Sequence, residues 1–515
     1  MISHPMPDIT RTDYVTEIIT NQPTFPSHPA ISTAHLPSDT CHRCDSTNWL
    51  PHTMINTLQV GQQRWNTWRE RSVNTRIFAA MVTVGGFTLL VKFTAAAKEL
   101  VVAYQFGTSD ALDAFLIAFL LPGFAISLVA GSLNAALIPT YIQVREHEGQ
   151  EAAQRLSSSI MLSSAGLLVA VSVVSALVAS YILPVLASGF SAEKLALTTS
   201  LYYVLLPCIA LSGLAVTWSA ILNAHDRFAL AAAGPMVTAF ITVLMLIVLA
   251  KDWGIYALAV GTVTGSLLEA GLLGWWLGRQ GISVIPRWHG TTPAVKQVWG
   301  QYTPMVAGAF LMGSTSLVAQ SMAAMLGSGS VSALAYGSKI TTLILGVGSV
   351  AVSTAVLPHF SRMVARSDWD NVRHTLLTYA RLIVLITLPM TLVLIYFSEP
   401  LVRLLFQRGA FTDADTKLVA WVQVLYLLQV PIFVLGMLIV RLMSALKANG
   451  ILMWGAGINL FFNVVSSYLL MKWLGIAGIA LSMSLMYLVS CCYLLFVSLR
   501  LLKSVSVGGL KTQIT

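Results

Sequence analysis

Phe106-Gly107-Thr108-Ser109 returns in altered form 220 residues later as Leu326-Gly327-Ser328-Gly329. Working outward, Ala136-Leu137-Ile138-Pro139-Thr140-Tyr141 is answered by Ala355-Val356-Leu357-Pro358-His359-Phe360 at an offset of 219. Gly254-Ile255-Tyr256-Ala257-Leu258-Ala259 is answered by Gly475-Ile476-Ala477-Gly478-Ile479-Ala480 at 221. Gly, Ala and Leu are common in this chain, so one match means little. Three in the same order at one offset indicate a duplication. Twelve apolar stretches run from about Ile77 to about Leu499, six per copy. Each exceeds the ~20 residues that a membrane-spanning helix needs. An even number of spans brings both copies in from the same side, which predicts parallel repeats about an axis along the membrane normal. The expected class is therefore an all-α polytopic membrane protein, with about twelve transmembrane helices in two six-helix repeats around a central cavity. That design points to transport.

Composition agrees. Apolar residues make up 56% of the chain and charged residues 10%, against about 25% charged in soluble globular chains. The net charge of +9 suggests an anionic partner until its distribution is read. With the amino terminus in the cytoplasm, twenty of the thirty Lys and Arg fall on the cytoplasmic side and six on the other. This is the positive-inside bias, so both termini are expected in the cytoplasm and no nucleic acid is expected as a partner.

The organisation expected along the chain is a disordered cytoplasmic tail at 1–75, with Met54 as an alternative start. A first six-helix repeat follows at 76–277, a cytoplasmic linker at 278–301, a second repeat at 302–500 and a short tail at 501–515. The tail is polar and aperiodic. It holds one C-x-x-C, Cys41 and Cys44, with His28, His35 and His52 nearby. One pair without a second is a weak zinc signal, and no metal site is expected. No phosphate-binding G-x-x-x-x-G-K-[ST], H-E-x-x-H or G-x-S-x-G occurs, which argues against an enzyme and against intrinsic ATP hydrolysis by such a loop.

Charged residues inside apolar spans are the sharpest local signal. Each costs at least about 2.5–3.5 kcal/mol at a helix centre, so each should face water or a partner. The first span carries Lys92, Lys98 and Glu99, the sixth Glu269 and the eighth Lys339. One reading gathers Lys92, Lys98 and Lys339 around the cavity as a receptor for a polyanionic head group, with lysine acting as a mobile point charge. The plainer reading pairs Lys92 with Glu99, seven residues apart on one helical face, and lets Lys98 reach outward. Glu269 reads as a helix-packing residue or a coupling site. Asp110 and Asp113 open the second span, where helix capping accounts for Asp110. Asn134, Asn459 and Asn463 read as interhelical hydrogen-bonders.

Three runs resemble the MurJ (MviN) lipid II flippases. Phe106-Gly107-Thr108-Ser109-Asp110-Ala111-Leu112-Asp113-Ala114-Phe115 through Pro122 is similar to that family's FG-x-x-x-x-x-DAF-x-x-AF-x-LP. The outer-loop run Phe406-Gln407-Arg408-Gly409-Ala410-Phe411-Thr412, with Asp415-Thr416, is similar to its RGAFT-x-x-DT. Gly346-Val347-Gly348 through Leu357-Pro358-His359-Phe360-Ser361-Arg362 is similar to a third segment. The resemblance covers about residues 75–500. It implies a multidrug/oligosaccharidyl-lipid/polysaccharide exporter fold that moves an undecaprenyl-pyrophosphate-linked saccharide across the bacterial inner membrane by alternating access, in the service of peptidoglycan and cell-wall synthesis and cell shape.

The resemblance also implies site residues. Lys92, Lys98 and Lys339 stand where the family has arginines, which keeps charge but loses bidentate phosphate geometry. Asp113 matches a family aspartate, and Asp113, Glu99 and Glu269 are candidates for gating or coupling. Arg408, Gly409 and Phe411 carry the outer-loop motif. The family's second-span arginines and glutamate are missing, and twelve spans replace its usual fourteen. The expected substrate is thus lipid II or a related cell-envelope precursor. Two alternatives stay open: a cation-coupled drug exporter of the same fold, and a non-transporting paralogue or scaffold. No cofactor is expected, with coupling to the membrane potential or a monovalent cation left open. The bilayer is an expected partner, and so are enzymes of cell-envelope synthesis.

Overall fold

The computed structural model describes residues 73–225, 227–282 and 287–507. The chain divides into two units, Met1–Thr75 and Arg76–Thr515. Only residues 73–75 of the first unit are described, so the expected tail and its Cys41–Cys44 pair lie outside the described residues.

Among the described residues all regular structure is helical. The helices are α1 (Val73–Phe106), α2 (Asp110–Ile126), α3 (Ser132–Glu148), α4 (Gln150–Leu186), α5 (Ala192–Leu205), α6 (Pro207–Ala224), α7 (Phe228–Trp253) and α8 (Ile255–Arg279). They continue with α9 (Pro293–Ala324), α10 (Ser330–Ala365), α11 (Trp369–Tyr396), α12 (Ser398–Phe406), α13 (Asp413–Leu427), α14 (Gln429–Ala445), α15 (Asn449–Leu474) and α16 (Ile476–Val507). A π-helical turn, Ser127–Gly131, joins α2 to α3. Hydroxyl side chains start several of them: Ser109, Ser191, Thr292 and Thr412 each accept a backbone N–H from the first turn, which meets part of the donor deficit of a helix start.

Among the described residues eleven stretches are long and apolar enough to cross a membrane, and they match the expected spans two to twelve. The expected first span, 77–104, falls within α1, of which the side chains are described from Leu90 on. Two expected spans are broken by short irregularities. Pro207 is the first residue of α6, where its missing N–H costs nothing, and so ends α5 instead of kinking one long helix. Leu428 separates α13 from α14. Residues 293–301 of the expected linker form the first turns of α9.

The buried core is not evenly shared between the two ends of the bundle. At the end carrying Asp113, one cluster joins Val102, Leu112 and Phe115 to Tyr336, Phe406, Phe411 and Val419. At the end carrying Gln143 there are two separate clusters. One holds Leu137, Tyr141 and Leu156 with Val295 and Val298 of α9. The other holds Val356, Phe360, Val372 and Leu442. Helix α9 therefore packs its start against α3 and α4. Its last turns, with Ala319, Ala323 and Ala324, lie in a core shared with Val331, Val422 and Ile479.

Candidate functional site

Glu99 on α1 sits between two lysines. Its Oε1 lies 3.3 Å from Lys98 Nζ and its Oε2 3.0 Å from Lys339 Nζ on α10. Glu99 is seven residues before the end of α1, so the group lies about 10 Å below the Asp113 end at the helical rise of ~1.5 Å per residue. A carboxylate here needs these cations, because the apolar surroundings give it no other charge compensation. The lysines keep 33% and 42% of their side-chain surface exposed, so each retains donors for a further anion. Lys92 is two turns further along α1, exposed, and forms no ion pair among the described residues. Three lysines against one glutamate leave a surplus of two positive charges.

This pairing differs from the helical-face expectation. Lys92 does not meet Glu99. Lys98 turns to it from the adjacent position, and Lys339 reaches it from 240 residues away. Sequence spacing identifies neighbours on one helix and says nothing of a lysine delivered by another.

Asp113 is wholly buried at the start of α2. Its Oδ2 accepts from Gly329 N at 2.9 Å and its Oδ1 from Ser332 N at 2.8 Å, so it caps the start of α10 from another helix. Lys194 Nζ donates to Oδ2 at 3.0 Å. Two helix N–H groups, the positive end of α10 and an ammonium together satisfy a charge that burial alone would forbid. Lys194 also pairs with Asp110. Asp110 therefore does not serve as the cap expected of it: Ser109 caps α2, and Asp110 shares Lys194 with Asp113.

The loop carrying Arg408, Gly409 and Phe411 lies on the end of α1. Ala410 N donates to Tyr104 O at 2.8 Å. Thr108 Oγ1 donates to Asp415, whose other oxygen accepts from Thr412 N in a capping box. Phe411 is buried and packs edge-on to Tyr336 at 5.5 Å between ring centroids, with Phe406 beside both. Arg408 is exposed and donates to Leu404 O of the preceding helix, α12.

Glu269 is not part of the lysine group. Its Oε2 accepts from Thr238 Oγ1 at 2.5 Å between α7 and α8. The three asparagines bridge helices as expected: Asn134 donates to Val216 O, Asn459 to Ser490 Oγ and Asn463 to Met483 Sδ. Sequence reasoning missed Lys194, in the first turn of α5, which entered only the charge tally, and Thr108, whose partner is 307 residues away. The one available signal was Asp415 in a motif of unassigned role.

A polytopic helical bundle with a cationic group shared by distant helices, closed by capped contacts at one end, defines a membrane transporter. The family model of the lipid II flippase MurJ matches residues 102–515. A probable lipid II flippase MurJ of Rhizobium meliloti (strain 1021) is 30% identical over 410 residues, covering 77% of this chain and 76% of that protein. The lipid II flippase MurJ of Burkholderia cenocepacia is 27% identical over 446 residues, covering 82% and 84%. Among solved structures, a lipid II flippase MurJ in an inward closed conformation has a TM-score of 0.70 at 22% identity, covering 84% of this chain and 94% of that one. An inward-facing MATE-family transporter of the MOP superfamily has 0.67 at 13% identity, covering 83% and 99%. The chain belongs to the MurJ lipid II flippase family. It is a multi-pass membrane transporter and not a catalytic enzyme.

Proposed function

We propose that the protein moves a polyprenyl-pyrophosphate-linked saccharide, lipid II or a close relative of it, across the bacterial inner membrane by alternating access. Lys92, Lys98 and Lys339 receive the pyrophosphate while the polyprenyl tail stays in the bilayer. The observation that carries this reading is the Lys98–Glu99–Lys339 group, made by two distant helices and left with surplus positive charge. In the substrate-free state Glu99 holds the two lysines together. An arriving pyrophosphate competes for them and adds Lys92, exchanging one carboxylate for charge-assisted hydrogen bonds to several phosphate oxygens. A basic site also disfavours the cationic drugs that the alternative exporter reading requires.

The charge bias puts both termini in the cytoplasm, so the Asp113 end faces outward and the substrate enters from the Gln143 end. A membrane potential positive outside then assists outward movement of an anionic head group, by about 2.3 kcal/mol per charge per 100 mV. The test is complementation of a bacterium depleted of its own lipid II flippase. The native protein is expected to restore growth. Lys92→Ala and Lys339→Ala are expected to fail at normal membrane abundance, and Lys→Arg at either site to restore growth in part. Lys472→Ala, remote from the group, is expected to behave as the native protein. Growth with both cavity alanine variants would refute the receptor role.

A further inference from the structure

Four glycines at the Asp113 end lie against backbone of a distant part of the chain: Gly107, Gly189, Gly329 and Gly409. Two of them form a matched pair. A Cβ on Gly189, in the loop after α4, would lie 2.4 Å from Ala324 O and 2.5 Å from Met325 Cα at the end of α9. A Cβ on Gly409, in the loop after α12, would lie 2.4 Å from Tyr104 O near the end of α1. Gly189 and Gly409 are 220 residues apart, and so are Tyr104 and Ala324. That is the offset of the sequence duplication, so one contact is made twice with the roles of the two halves exchanged. Further hydrogen bonds accompany each: Ser321 Oγ to Leu186 O at 2.9 Å in the first, Ala410 N to Tyr104 O at 2.8 Å in the second. Toward the other end, Gly149, Gly281, Gly290, Gly300 and Gly308 have open space where a Cβ would stand.

We infer that Gly189 and Gly409 are the paired gate residues of the transport cycle. Each lets a loop of one half seat on the carbonyl that closes the leading helix of the other, and both seats must separate for substrate to leave at this end. The obstacle met by any side chain is backbone at a helix end, so no rotamer change relieves it. A methyl group at either position therefore acts only against the closed seam. Gly409 also has φ +61°, so part of the effect of its substitution is local strain; Gly189 has no such φ and isolates the wedge.

The inference rests on the alternating-access reading, and its test requires no substrate. The reporter is Leu343→Cys, an exposed position one turn from Lys339 on α10, in a chain with its five native cysteines replaced. Intact cells are treated with a membrane-impermeant maleimide, and variant abundance is measured in the membrane. Gly189→Ala and Gly409→Ala are expected to raise the labelling rate about tenfold or more by shifting the population towards the open seam. Gly300→Ala is the control and should not. A second measurement keeps both glycines. Tyr104→Cys with Ala410→Cys, and Phe190→Cys with Ala324→Cys, are expected to form disulfides that each suppress outside labelling of the reporter. If both alanine variants label as slowly as the parent, or if either disulfide forms and labelling persists, the gate assignment is overturned. Should the alanine variants not accumulate, the disulfide result alone decides. A gate that responds as expected in a protein unable to complement the flippase-depleted strain would instead remove the substrate reading and leave the gate.

Discussion

The two ends of the bundle are held together by different means. At the Asp113 end one apolar core joins the helices before and after the 278–301 stretch, and over it lie the Asp113 cap on α10, the Thr108–Asp415 bond and the Tyr104–Ala410 bond. At the Gln143 end there are two separate cores; the first turns of α9 lie in one of them, with a Gln297–Gln143 hydrogen bond of 3.3 Å beside it. The first arrangement is a seam of individually modest polar and backbone contacts, each able to break and re-form. The second is the start of α9 packed into the apolar core of α3 and α4. Under the proposed alternating access, the difference separates the contacts that must open from those that need not.

The sharpest way to break the comparison is to lock each end. A disulfide between Thr108→Cys and Asp415→Cys should stop transport almost completely, with recovery on reduction. The same treatment of Gln143→Cys with Gln297→Cys should leave most of the transport intact, because those residues stay within one packed unit. Equal inhibition by both locks would mean that the Gln143 end also separates there.

A smaller but still large effect is expected at Asp113. Asp113→Ala leaves Lys194 buried without its inner carboxylate and uncaps two N–H groups of α10. Breaking a buried charge pair in this way costs about 3–5 kcal/mol. The cost falls on the closed seam, so outside labelling should rise steeply and transport should fall at least tenfold. Asp113→Asn keeps an acceptor for one N–H and should lie between. Unchanged labelling in both would show that the seam does not depend on this cap.

The smallest effect is expected at Glu99. Glu99→Gln removes the carboxylate that competes for Lys98 and Lys339, so binding of a pyrophosphate probe should tighten by a few-fold while release slows. The scale is that of one partly exposed ion pair, about 1 kcal/mol or less. Weaker binding would show that Glu99 positions the lysines instead of competing for them.

Much of this architecture was legible in the sequence because a bilayer forces long apolar helices with satisfied backbones. The spans, Asp113, and the charged residues of α1 and α10 all stood out against apolar surroundings. Their partners did not. Lys339 meets Glu99, and Asp113 meets the start of α10, only because the fold brings residues more than 200 apart together. The helical-face argument gave Lys92 to Glu99 since it could weigh only residues of one helix. Lys194 lies in the first turn of α5 and carries no sequence signal beyond its charge. Gly189 was equally silent, since its significance appears only when its offset from Gly409 is set beside the contact each one makes.

The central claim is that Lys92 and Lys339 bind pyrophosphate, and direct binding tests it most simply. Undecaprenyl pyrophosphate would be titrated onto purified protein in lipid nanodiscs, with undecaprenol as the uncharged comparison. Loss of a charged hydrogen-bond donor costs about 1.5–3 kcal/mol, so Lys92→Ala and Lys339→Ala should each weaken pyrophosphate binding by about tenfold to a hundredfold. Neither should change undecaprenol binding, and Lys472→Ala should change nothing. Pyrophosphate binding of native strength by both alanine variants would contradict the account.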